Sequence, residues 1–307
     1  MDNSSRATAP LKGVITEVQR RTALVLGEDG AEHSCQYSPT IDLADFSNFA
    51  VGDRVEFIPL GSQQEPMITA LMPRRSKLSR PGPRDRRAEE LILAANVDAL
   101  LVVSSVRSPD FNARLVDRYL ALAEFFSLEA ILCLNKRDLD PVTPPELEYL
   151  RSLGYPAIAC SAKSGEGMDD LRRVLDGRMV VLSGPSGAGK SSLIRSLVPG
   201  ADPRIGEVQK GTGKGRHTTT SSHLYQVGPG AFIIDTPGIR ELGISHVERR
   251  DLAPLWRDIA PLADRCRFRD CMHVNEPGCA VRAAVEAGSL PDYRYQSYLR
   301  ILEDLPE

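Results

Sequence analysis

Three short stretches carry residue types whose spacing could do chemistry. The first is Gly184-Pro185-Ser186-Gly187-Ala188-Gly189-Lys190-Ser191, which fits G-x-x-x-x-G-K-S. It follows an apolar strand-like run, Arg178–Ser183, and precedes a helix-compatible run, Ser191–Leu197. In that context the glycines let backbone N–H groups curl round a phosphate, and the helix N-terminus adds its dipole. Lys190 would reach the β- and γ-phosphates. Ser191 would ligate Mg²⁺, and Ser192 continues the phosphate-binding turn. The second stretch is Asp235-Thr236-Pro237-Gly238, at the end of the apolar strand Ala231–Ile234. A strand that delivers a carboxylate to the edge of a sheet suits a magnesium-binding Asp235, with the Gly238 N–H near the γ-phosphate. The third is Cys266-x4-Cys271-x-His273-x5-Cys279. Three thiolates and one imidazole complete a tetrahedral zinc set with no position left for water, so the expected site is structural, with one zinc per chain.

Base choice is written elsewhere. Asn135-Lys136-Arg137-Asp138 follows the strand-like run Ala130–Leu134 and fits N-K-x-D. The Asp138 carboxylate can accept from guanine N1–H and the N2 amino group together. Adenine offers no such donor pair, and an unmatched buried acceptor is costly. Asn135 would hold the loop and the base edge, and the Lys136 stem would lie along the ring. Ser161-Ala162-Lys163 follows the next strand and matches S-A-K, whose Ala N–H meets guanine O6. In ordinary GTP-binding domains the phosphate loop comes first. Here the order is 135–138, 161–163, 184–191, 235–238, a circular permutation. All four loops lie at the C-terminal edge of one parallel sheet, so permutation need not disturb the site.

The elements that position these groups follow from hydrophobic periodicity. Residues 11–73 read as five short strands with turn residues between them, a small barrel of the OB or SH3-like kind. Residues 73–87, PRRSKLSRPGPRDRR, hold seven Arg or Lys against one Asp and read as a basic linker able to follow phosphates. From about 96 strands and helices alternate, the pattern of a mostly parallel sheet covered on both faces. After about 246 the chain reads as helical around the Cys/His cluster. There Arg265, Arg267 and Arg269 interleave with the ligands and could meet phosphates.

With 307 residues, 42% apolar and 26% charged, the chain is neither disordered, collagenous nor a disulfide mini-protein. A net charge of −3 excludes a polybasic nucleic-acid coat, although the cations are 31 Arg and 7 Lys. No apolar run reaches the roughly 18 residues of a membrane span. The start lacks the apolar core of a secretory signal, so the expected location is the cytoplasm. Cys35, Cys133 and Cys160 read as buried core.

Together the stretches Asn135–Asp138, Gly184–Ser191, 215–220 (GRHTTT), Asp235–Gly238 and Cys266–Cys279 resemble the circularly permuted GTPase family that matures the small ribosomal subunit, the RsgA (YjeQ) type. The resemblance implies a multidomain α/β chain: an N-terminal OB-fold β-barrel, a circularly permuted P-loop GTPase domain and a C-terminal helical zinc-binding domain. The expected division is a loose 1–10, barrel 11–73, linker 74–87, G domain 88–245 and zinc domain 246–307. It also implies GTP hydrolysis with Mg²⁺, exchange of GTP and GDP, and cytoplasmic binding of a monomer to the 30S subunit and its 16S rRNA near the decoding region. By the family pattern 218–220 lie in the first switch segment, and Thr219 or Thr220 would close on Mg²⁺. The residue after the D-x-x-G turn is Ile239, which cannot orient water as a Gln does. His217 is the nearest polar candidate for that task. Two other classes compete. One is an RNA-binding module whose nucleotide only sets conformation, and the other is a P-loop ATPase or kinase, against which Asp138 argues.

Overall fold

The computed structural model describes residues 9–39, 41, 49–60, 64–81, 90–201, 203, 222–236 and 247–306. The expectations placed on His217, Thr218, Thr219, Thr220, Gly238 and Ile239 lie outside the described residues. Five strands form the first unit: β1 (Leu11–Val18), β2 (Thr22–Gly27), β3 (Glu32–Tyr37), β4 (Arg54–Ile58) and β5 (Met67–Leu71). They close in the order β1-β2-β3-β5-β4, with β4 returning to β1 and β3 parallel to β5. This is the OB-fold arrangement. Alternation selects what lies inside: Ala23 and Val25 on β2, Val55 and Phe57 on β4, with Ile15, Cys35 and Ile68, all at 0% exposure.

The basic stretch after the barrel departs from the expected linker. Lys77–Pro81 is a strand, β6, paired antiparallel with β7 (Glu90–Ala95). Leu78 is fully buried in the core beneath the next sheet. Three of the described cations there have acidic partners within the chain. Arg74 forks onto Asp53, Nε to Oδ1 at 2.6 Å and Nη2 to Oδ2 at 2.7 Å. Arg75 pairs with Asp98 at 3.3 Å, and Lys77 pairs with Glu90. Asn96 completes the junction, donating to Gly52 O at 2.9 Å and accepting from the Arg75 N–H at 2.9 Å. A run rich in Arg and Pro reads as linker because its partners, 21 residues away in the case of Asp53, are invisible to local pattern.

The second unit alternates as expected: β8 (Ala99–Ser105), α1 (Ala113–Phe125), β9 (Glu129–Asn135), α2 (Pro145–Ser152), β10 (Ala157–Ala159), α3 (Met168–Leu175), β11 (Met179–Ser183), α4 (Lys190–Leu197) and the hairpin β12 (His223–Gly228) and β13 (Ala231–Asp235). The sheet order is β10-β9-β8-β11-β13-β12, and β12 alone runs antiparallel within it. Every residue of β8 is buried. Leu100 and Val102 point into a core with α1 and α2, while Leu101 and Val103 point into one with α3 and α4. Val14 and Val18 of the barrel pack against the first of these cores, which includes Leu224.

The third unit is short turns and helices: α5 (Ala260–Ala263), α6 (Ala280–Glu286) and α7 (Asp292–Asp304). Its core of Trp256, Ile259, Tyr298 and Leu302 also takes in Ala121 from α1. Arg294 on α7 binds both oxygens of Asp258 at 2.8 Å and reaches Asp117 on α1. Its guanidinium lies 4.2 Å over the Trp256 ring. Among the described residues no helix is long and apolar enough to cross a membrane.

The Asp53 side chain has no exposure; the Ala50 N–H donates to its Oδ2 at 2.8 Å, and Arg74 is the cation that balances its charge. Arg74→Ala strands that carboxylate and should lower stability by about 3 kcal/mol, the usual cost of breaking a buried pair. Denaturant unfolding of the full chain measures this. A loss within the ~1 kcal/mol of a surface pair would show that the fork does not hold the junction.

Candidate nucleotide and metal sites

The phosphate loop emerges from the fully buried β11 at the point where the sheet's connections diverge, β8 to one side and β13 to the other. Such switch points leave a crevice at the C-terminal ends of the strands. Two glycines in the loop are dictated by space. Gly184 has φ +133°, and a Cβ there would lie 2.0 Å from Val103 O. Gly189 has φ +94°, and its Cβ would lie 2.3 Å from Asn135 Nδ2. Ser186 and Gly187 are exposed, Pro185 half-buried and Ala188 buried. Lys190 is buried, and its Nζ donates to Gly184 O at 2.7 Å and Pro185 O at 2.6 Å. Its charge is therefore held inside the loop's curl. Ser191 and Ser192 sit in the first turn of α4.

The guanine motifs arrive beside this loop from β9 and β10. Asn135 is buried and acts as a bridge. Its Nδ2 donates to Ala188 O in the phosphate loop at 3.0 Å, and its Oδ1 accepts from the Ala162 N–H at 3.1 Å. The three motifs are thus brought together, although 53 residues separate Asn135 from Ala188. Lys136 adopts φ +64°, and its amine bonds Ser108 O. The loop 106–112 is wedged here as well, with Pro109 Cδ 3.4 Å from where a Cβ on Gly187 would be. Nothing in its composition marks that role. The Arg137 guanidinium turns away, to Pro141 O and the Thr143 hydroxyl, while the backbone N–H of Arg137 donates to Cys160 O at 3.1 Å.

Asp138 accepts from the Ser161 hydroxyl at 2.6 Å. The same hydroxyl accepts from the N–H groups of Lys163 and Ser164 at 3.3 and 3.1 Å. Ser161 is therefore saturated by its own loop and aims the carboxylate. That hydrogen bond, with lesser help from Lys163 and Lys136, holds the Asp138 carboxyl below its ordinary value. Lys163 itself is exposed, with its Nζ 3.8 Å from Asp138 Oδ2. Asp235 ends β13, in register with Leu182 on β11, so its carboxylate and the loop leave the sheet side by side. A hydroxyl from Ser191 and a carboxylate from Asp235 are the hard oxygen donors that Mg²⁺ takes.

The four cysteine and histidine ligands converge. Their candidate ligand atoms lie within 4.8 Å of one another. Cys266 and Cys279 Sγ are 3.9 Å apart, and each lies 3.5 Å from His273 Nδ1. A tetrahedron with Zn–S bonds near 2.3 Å has edges of about 3.8 Å, so the set fits a tetrahedral ion. Two backbone N–H groups point at sulfur, Ala280 at Cys266 (3.3 Å) and Arg282 at Cys279 (3.5 Å), which suits thiolates. The loop is held from behind by groups the sequence reading missed. Tyr295 and Tyr298 of α7 donate to His273 O and Met272 O, and the Glu276 carboxylate accepts from the N–H groups of Met272, Val274 and Asn275. Burial pushes the Cys271 thiol up to about 12 and His273 down. A divalent cation held here would bind the deprotonated sulfurs, so its uptake would release protons.

A profile of the RsgA GTPase family matches residues 71–245. The chain is 42% identical to the small ribosomal subunit biogenesis GTPase RsgA of Chlorobaculum parvum, over 97% of this chain and 99% of that one. It is 44% identical to the protein of the same name from Pseudomonas aeruginosa, over 86% of this chain and 78% of the relative. Its fold superposes on the crystal structure of YjeQ from Thermotoga maritima with a TM-score of 0.76, at 29% identity, covering 96% of this chain and 98% of that one. The structure of YloQ, described as a circularly permuted GTPase, gives 0.70 at 25% identity over 99% and 97%. Relatives that match almost end to end and a profile that covers more than half the chain agree with the permuted order of its nucleotide loops, and the chain belongs to the RsgA family of GTP-hydrolysing enzymes.

Proposed function

We propose that this GTPase is a late-stage assembly and checkpoint factor of the 30S ribosomal subunit, working in the cytoplasm as a monomer. In this reading it binds 16S rRNA near the decoding region, and the subunit stimulates its hydrolysis of GTP. The observation that carries the reading is architectural: an OB barrel and a Cys/His metal unit are each fixed by buried polar contacts to one permuted G domain. OB folds and small metal modules are common RNA-binding units. Arg265, Arg267 and Arg269 are exposed and pair with no carboxylate among the described residues. The basic stretch contributes less than its composition promises, because Arg74, Arg75 and Lys77 already have acidic partners.

Within the site, Asp138 reads the guanine N1–H and amino group while Ser161 aims it and Asn135 holds the base loop to the phosphate loop. The backbone of 184–190 and the Lys190 amine cradle the phosphates. Ser191 and Asp235 would hold Mg²⁺, which would supply positive charge beside the phosphoryl oxygens. His217 orients the attacking water, and Thr219 or Thr220 closes over the ion. The metal of the C-terminal unit is zinc, and its role is structural.

Sedimentation with purified 30S and 50S subunits, under GDP and a non-hydrolysable GTP analogue, tests the function. Binding to 30S should be stronger with the analogue and should weaken with salt, as phosphate contacts require. His217→Ala should keep that binding and lose the stimulated turnover. Binding that ignores both nucleotide and salt would remove the ribosomal assignment.

Base choice has its own test. Asp138→Asn replaces a double acceptor by an amide with a donor, so GTP affinity should fall and xanthosine triphosphate should become the preferred nucleotide. A mutant that still prefers GTP would show that Asp138 does not read the base.

For the metal, elemental analysis of the freshly purified chain should give one zinc. Cys271→Ser should lose it, and amide exchange should rise over 260–304 and on the face of α1 that carries Asp117 and Ala121. GTP binding should survive, because Asn135–Asp138 and Gly184–Ser191 lie outside the ligand loop. Unchanged exchange in that variant would sink the structural role.

A further inference from the structure

Strand β1 breaks its alternation at one place. Its register with β2 shifts between Ile15 and Glu17, which makes Thr16 the extra residue of a β-bulge. Ile15 lies in the barrel core at 0% exposure. Strict alternation would send Glu17 to the same interior, where an unpaired carboxylate is expensive. The bulge changes the phase. The Thr16 hydroxyl bonds to Leu24 O (3.3 Å) and to the Glu32 carboxylate (2.8 Å), and Glu17 emerges toward the G sheet. There its Oε2 lies 3.4 Å from His223 Nδ1, with both side chains largely covered.

His223 is the first residue of β12 and stands opposite Asp235 in the β12–β13 ladder. Residues directly opposed in an antiparallel pair share a face. Because β12 runs against the rest of the sheet, its first residue lies at the edge from which the phosphate loop emerges. The barrel also packs on the other face of the same edge strand, since Val14 and Val18 of β1 join the core that contains Leu224 and Ile234. The barrel therefore grips the edge strand at the end nearest the nucleotide.

We propose that Glu17 is a positioning residue for GTP hydrolysis: through His223 the barrel sets the end of the β12–β13 hairpin that carries Asp235. The proposal rests on the reading of Asp235 as the magnesium carboxylate. It gives the barrel a direct purchase on the reaction, independent of the C-terminal unit. A contact that merely stapled two units together would change stability and leave turnover alone.

A double-mutant cycle on the full-length chain separates the two. Glu17→Ala, His223→Ala, the double variant and the charge-exchanged pair Glu17→Arg with His223→Asp are compared for kcat and KM with GTP, for affinity to a fluorescent GDP, and for Tm. Each single variant should lower kcat roughly three- to tenfold with KM and GDP affinity unchanged, the range seen for couplings of this kind. The double variant should be no slower than either single one, and the exchanged pair should recover most of the rate. Unchanged kcat with a lowered Tm, or losses that simply add, would overturn the coupling. Asp235→Asn, assayed in parallel for the magnesium dependence of GTP binding, keeps the underlying reading distinct. If that dependence is lost while the Glu17 cycle stays flat, the coupling alone is wrong. If Asp235→Asn keeps the wild-type dependence, Asp235 is not the magnesium ligand and the proposal falls with it.

Discussion

The carboxamide of Asn135 joins three loops that the chain visits at widely separated times. Its N–H₂ holds the phosphate loop through Ala188 O, and its oxygen holds the Ser161-Ala162-Lys163 turn through the Ala162 N–H. Asn135 itself is buried and its bond to Ala188 O is fully so, which means that this tie cannot be exchanged for water without leaving an orphaned polar group. The tie runs through space and not along the chain. That is why the order of motifs can be permuted: what has to be kept is the adjacency of β9, β8 and β11 at one sheet edge, and the permuted chain keeps it. Gly189 belongs to the same constraint, because any side chain there would collide with the Asn135 amide.

Permutation frees the end of β13 to lead into the C-terminal unit, and the structure shows how that unit is held. Two carboxylates, Asp117 and Asp258, share the single guanidinium of Arg294, and all three are buried. Burial pushes the Asp117 carboxyl up to about 6 even with Arg294 beside it. The cluster is therefore short of positive charge and is weak evidence for stability in itself. What it supplies is specificity of position, since any other docking angle would leave a buried charge alone. The apolar contribution comes from around it: Trp256 under the guanidinium, Ala121 in the same core, and Arg257 stacked 4.0 Å over Tyr155 while bound to Glu124.

The parts that could be read from sequence are those whose determinants are contiguous. Gly184–Ser191, Asn135–Asp138 and Cys266–Cys279 each place their chemistry within one loop, and a strand such as Ala99–Ser105 declares itself by an unbroken apolar run. The barrel strands could be read to within a few residues, because alternation and turn residues are local. What could not be read depends on partners far along the chain. Lys77–Pro81 becomes a strand only because Glu90–Ala95 lies beside it and Leu78 finds the neighbouring core. Arg294 and Asp117 are 177 residues apart and carry no local mark. Cys133 and Cys160 are buried as their apolar surroundings suggested, yet that their sulfurs meet at 3.4 Å follows only from the pairing of β9 with β10.

The same distinction explains how the two outer units relate to the nucleotide. Strand β1 and helix α1 pack into the core on one face of the G sheet, β1 near its β12 edge and α1 over β8 and β9. The C-terminal unit then lies on the outer side of α1, held by Asp117 and Ala121. A load on the barrel therefore reaches the sheet at β12, beside Asp235, while a load on the metal unit reaches it through α1, whose leading loop 106–112 touches Lys136 and the phosphate loop. One route ends at the residue proposed to hold magnesium, the other at the loops proposed to read the base. Packed cores deform in discrete steps and not continuously, so each route can bias its own end of the site.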